Sequence, residues 1–81
     1  MVESVSISRR EFQVLILIAE EYTTIEIASI LFLSPETVMT YRKSILSKFN
    51  VRNVAGMIRY AFDSGLLIPA KNRDRKVQKR G

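Results

Sequence analysis

Residues 23–38, TTIEIASILFLSPETV, hold two helix starts and the connection between them, and their reading decides the fold. Thr23 followed three positions later by Glu26 is a capping box: the hydroxyl and the carboxylate can each satisfy an amide left without a partner at the start of a helix. Ile27, Ala28 and Leu31 then share one face of a helix only about eight residues long. Phe32 and Leu33 lead directly into Ser34-Pro35-Glu36. There serine can cap, proline suits the first helical position, and glutamate meets the positive end of the helix dipole. This is the sharpest helix start in the chain, and it predicts a helix over residues 35–48, with Asn50 left-handed just past its end.

The flanks extend the pattern. Ser8 and Glu11 form another capping box, predicting a helix over residues 9–20 that is apolar through Ala19 and nearly apolar all round. Asn53 can cap a fourth helix, which Gly65 would stop. Four short helices, two of them joined tightly at Phe32-Leu33, make an all-α fold with a helix-turn-helix pattern. At about 100° per residue, Val38, Tyr41, Ile45 and Phe49 form one apolar stripe on the third helix, which must face the first two. Glu36, Thr40, Lys43 and Ser47 point the opposite way, with Met39 on one shoulder and Thr37, Ser44 and Lys48 on the other. Arg42 falls on the inner edge, where its stem is expected along the core and its head against an acid.

Composition narrows the function classes. An 81-residue chain is one domain, which at this size buries roughly 60% of its unfolded surface. With 47% hydrophobic and 26% charged residues it is built to fold. There is no cysteine and no histidine, so disulfides, thiolate or imidazole metal ligands and the common nucleophile–base pairs lack their residues. No paired carboxylates or glycine-rich phosphate loop stand in a plausible arrangement either, so neither an enzyme nor a cofactor is expected. No uncharged run approaches the roughly 20 residues of a membrane span, and no signal peptide is evident, which points to the cytoplasm and away from membranes.

The net charge is +5, and its position matters more than its size. Residues 71–81 carry Lys71, Arg73, Arg75, Lys76, Lys79 and Arg80 against Asp74 alone, so residues 69–81 read as a basic, disordered tail that supplies the whole excess. The preceding residues are neutral but polarised. Residues 1–36 are dominated by acids, whereas residues 37–62 hold Arg42, Lys43, Lys48, Arg52 and Arg59 and no acid. A cationic half of this kind suits a polyanionic partner.

The residues that carry a wider likeness are Ser8-Arg9-Arg10-Glu11 with Val14-Leu15, Glu26-Ile27-Ala28, Leu33-Ser34-Pro35-Glu36-Thr37-Val38, Tyr41-Arg42 with Ile45-Leu46 and Lys48, and Val51-Arg52-Asn53. In this order and without gaps, residues 6–68 resemble the DNA-binding domain of LuxR/FixJ-type transcriptional regulators, the C-terminal domain of NarL-like response regulators. The resemblance implies a helix-turn-helix unit over about residues 22–41, with the third helix in the major groove of double-stranded DNA. It also implies a homodimer on paired half-sites, with a receiver domain or RNA polymerase as further partners.

Carried onto this chain, the likeness places Thr40 and Lys43 nearest the bases. Ser34 and Thr37, at the start of the third helix, are placed to hold a phosphate, and Lys48 and Arg52 to reach the backbone. Met39 stands where a lysine is common and Tyr41 where a histidine is common. Methionine cannot donate to guanine, so Met39 is expected to touch a thymine methyl or fill space. Phe12, Ile16, Ile25, Ile30, Val54 and Gly56 occupy positions that the family tends to keep charged and so read as outward-facing, except that the first helix is apolar nearly all round, which leaves Phe12 and Ile16 open between a partner surface and the core. Those apolar positions sustain an alternative: a protein-interaction module on the same fold that no longer reads DNA.

Overall fold

Every helix begins at the residue that its capping chemistry marks. The computed structural model describes residues 6–68, which form α1 (Arg9–Ala19), α2 (Thr24–Leu31), α3 (Pro35–Phe49) and α4 (Val54–Asp63). Residues 69–81, where the sequence places its basic tail, lie outside the described residues. Ser8 and Thr23 close full capping boxes with Glu11 and Glu26. The Ser34 hydroxyl accepts from the Thr37 amide at 3.1 Å with Pro35 at the first helical position, and the Asn53 side chain accepts from the Gly56 amide at 2.9 Å. Ser34→Ala should therefore lower stability by about 1 kcal/mol in urea unfolding, the ordinary value of a serine cap.

The helix ends are less legible. Each helix closes by the same wrap, in which an amide just past the end donates to a carbonyl five residues back: Tyr22 to Leu17 (3.1 Å), Leu33 to Ala28 (2.8 Å), Val51 to Leu46 (3.1 Å) and Leu66 to Ala61 (2.8 Å). That geometry needs a left-handed residue at the bend. Asn50 (φ 59°) and Gly65 (φ 87°) are the residue types that tolerate it, but Glu21 (φ 70°) and Phe32 (φ 59°) are not. Phe32 is 92% exposed and so has no packing to offset the strain. Phe32→Gly is expected to stabilise the domain by about 0.5–1 kcal/mol, which thermal or urea unfolding would read.

The core follows from the faces these starts present. Val14, Leu15 and Ile18 of α1, Ile27 and Ala28 of α2, Val38, Ile45 and Phe49 of α3, Met57 and Ala61 of α4, and Leu67 beyond it are buried together. α3 packs on all three other helices, so its inner stripe is fixed from several directions. Tyr41 is half-buried against the same core, and Phe49 stacks on Tyr60 with ring centroids 4.3 Å apart.

Phe12, Ile16, Val54 and Gly56 are all turned at least partly inward. Phe12 and Ile16 are half-buried against the core and line an apolar groove of about 270 Å³ with Ala19, Phe62, Leu66, Leu67 and Ile68. An all-round apolar helix gives no phase, and the turn after α4 supplies the cover that periodicity could not foresee. Val54 also packs on the core. Gly56 is half-buried, and a Cβ there would lie 3.1 Å from the Val51 Cβ, so glycine lets the start of α4 approach that side chain. Ile25 and Ile30 do face outward, 70% and 44% exposed. Among the described residues, no helix is long and apolar enough to cross a membrane.

Candidate nucleic-acid interface

α3 is held by its buried stripe, so the opposite side is necessarily its free face. Pro35, Glu36, Met39, Thr40, Lys43 and Ser47 are all exposed, which matches the outward strip expected from the sequence with Met39 at its edge. Lys43 is exposed and has no carboxylate within 4 Å among the described residues. The Thr40 hydroxyl donates to the Glu36 carbonyl at 3.1 Å, one turn back along its own helix. That bond uses the hydroxyl hydrogen and leaves Thr40 its methyl group and an oxygen that can only accept.

The helix start forms the second part of the site. The Ser34 and Thr37 hydroxyls lie 3.0 Å apart, and Ser34 also accepts the Thr37 amide. The pair sits at the positive end of the α3 dipole, where an anion is favoured. Arg52 is exposed in the connection from α3 to α4 and, like Lys43, has no acid within 4 Å among the described residues. Arg59 is tied, at 3.6 Å, to Asp63 one turn along α4.

Lys48 is different. Its ammonium donates to Glu11 Oε1 at 2.8 Å and to the Ser6 carbonyl at 3.1 Å, so it is turned toward α1. The other Glu11 oxygen accepts the Ser44 hydroxyl, and Oε1 also accepts the Ser8 amide at 2.8 Å. Burial raises the Glu11 pKa, but the hydrogen bonds from Lys48, Ser44 and Ser8, with the Lys48 charge, outweigh it and lower the group from 4.5 to about 2. The capping box was legible in the sequence. That the same carboxylate also clamps α1 to α3, across 33 and 37 residues of chain, was not.

Arg42 also departs from expectation. It is half-buried, as its position on the inner edge implies, but among the described residues no acid lies within 4 Å of it. Its expected acid partner is therefore absent from the described part of the chain. The acids at the α1–α2 corner, Glu20 and Glu21, and Glu26 of α2 are exposed, whereas Lys43 and Arg52 lie on α3 and the loop after it. The charge separation along the chain thus follows the elements in the main, with Arg9 and Arg10 on α1 and Glu36 on α3 as exceptions.

A four-helix domain with α3 braced on its neighbours and bare on its outer side is a helix-turn-helix domain. The family model for bacterial regulatory proteins of the luxR family matches residues 5–61, and the chain belongs to that family of DNA-binding transcriptional regulators. Among its relatives are the oxygen regulatory protein NreC of Staphylococcus carnosus and the response regulator protein VraR of Staphylococcus aureus. Each is 38% identical over 61 residues, which is 75% of this chain and respectively 28% and 29% of the relative. A solved structure, the response regulator ChrA of a heme-sensing two-component system, superposes with a TM-score of 0.74 at 29% identity. The match covers 82% of this chain and 33% of that one. The chain thus corresponds to about a third or less of the length of these relatives.

Proposed function

We propose that this domain is the sequence-reading part of a transcriptional regulator and binds double-stranded DNA with α3 in the major groove. The observation that carries the reading is the outer strip of α3, polar and exposed, with Lys43, which has no acid within 4 Å among the described residues, at its middle, on a helix whose other side is fixed in the core. Thr40, Lys43 and Met39 meet base edges. Ser34, Thr37 and Arg52 hold the phosphate backbone, while Lys48 acts through its clamp on Glu11. Two copies occupy paired half-sites, as a helix-turn-helix dimer does on a palindromic operator. The likeness to response regulators supports a receiver domain as the source of the signal and RNA polymerase as the downstream partner, in the cytoplasm where the chromosome lies.

The test is a gel shift on random duplex fragments over a salt series, followed by selection from a random pool. Binding that weakens steeply with salt, and a pool that converges on a sequence, are the expected results. Arg52→Ala should weaken binding about equally on all sequences and make the salt slope shallower by about 1, as loss of one phosphate contact does. The exposed Ile25 and Phe32 favour a second reading, an interaction module without DNA affinity. No binding at any salt would decide for it.

A further inference from the structure

The groove-facing strip of α3 is poor in donors where helix-turn-helix proteins usually read bases, toward the N-terminal end of the helix. Glu36 can only accept. Met39, 44% exposed, has no donor, and the Thr40 hydroxyl hydrogen is already given to the Glu36 carbonyl. Lys43 is the one cation on the strip. The major-groove edge of guanine shows two acceptors and that of cytosine an amine, and covering either with a thioether or a methyl strips water from it without replacement. Thymine alone presents a methyl group there.

On the reading of α3 as the groove-entering helix, we infer that Met39 and the Thr40 methyl select thymine through its C5 methyl, beside a single guanine held by Lys43. Met39 and Lys43 are one helical turn apart, about 6 Å along the axis. At about 3.4 Å per base step, the selected thymine lies one to two base pairs from that guanine. The Glu36 carboxylate can accept only from an exocyclic amine, that of cytosine or of the adenine paired with a thymine.

Deoxyuridine tests this directly, since it removes the C5 methyl and leaves the pairing edge intact. In the duplex selected by the 81-residue chain, replacing thymines one at a time should weaken binding about 4-fold at one or two positions beside the guanine, the worth of one buried methyl group. Met39→Ala should abolish the sensitivity at one of them. Met39→Lys should make the pool reselect guanine there. If a tightly bound duplex tolerates deoxyuridine at every position, the thymine inference is overturned and the DNA reading stands. If no sequence enriches at all, the DNA reading itself falls.

Discussion

Glu11→Ala should lower the unfolding free energy by about 3 kcal/mol at neutral pH, one of the largest single-residue effects expected of this domain. Glu11 is 5% exposed and accepts from Ser8, Ser44 and Lys48, so its removal opens the α1 cap and leaves two groups on α3 without their acceptor. The same network sets a pH dependence whose sign is determined. The folded pKa is depressed, from 4.5 to about 2, so the stabilisation is fully present above pH 4.5 and is lost as pH falls toward 2. A shift of that size corresponds to about 3 kcal/mol. The Lys48 side chain is 39% exposed, so the ammonium can recover water and Glu11→Gln should cost less, about 2 kcal/mol. Urea midpoints at pH 7 and pH 3 for both chains check this: the wild type should lose most of its advantage over Glu11→Gln at pH 3. An unchanged gap would show that the carboxylate's charge contributes nothing.

Local chemistry made the helix starts legible, because a cap is written within four residues: Ser8 to Glu11, Thr23 to Glu26, Ser34 to Thr37. The α3 face was legible for a related reason, since its apolar stripe is narrow and leaves one phase. α1 has no such contrast, and the groove that leaves Phe12 and Ile16 half-buried is completed by Phe62, Leu66, Leu67 and Ile68, far along the chain. The left-handed bends at Glu21 and Phe32 are not written in the sequence, because the fold overrides the preference of these residue types. The Lys48 ion pair with Glu11 is hidden by the same limit. A surface lysine at the end of a helix looks alike whether it faces a phosphate or a carboxylate, and the carboxylate lies 37 residues away.

Lys43→Glu should weaken specific DNA binding at least 100-fold while leaving stability within about 0.5 kcal/mol. The stability half follows from exposure: Lys43 has no acid within 4 Å among the described residues and its side chain points to solvent, so the change removes no internal contact. The binding half has two contributions. Losing a bidentate contact to guanine costs about 1–3 kcal/mol, and the new carboxylate, two turns along α3 from Glu36, faces a phosphate-lined groove, where like charge is costly. Net charge alone could weaken binding, so the control is Arg9→Glu, which changes the charge equally on a different helix and places an acid in the first turn of α1, where the dipole favours it. Binding isotherms on the selected duplex and on random sequence distinguish the roles. If Lys43 reads a base, Lys43→Glu narrows the ratio between the two duplexes, whereas Arg9→Glu shifts both affinities together and far less. Equal losses for the two variants would mean that the face of α3 is not where DNA lies.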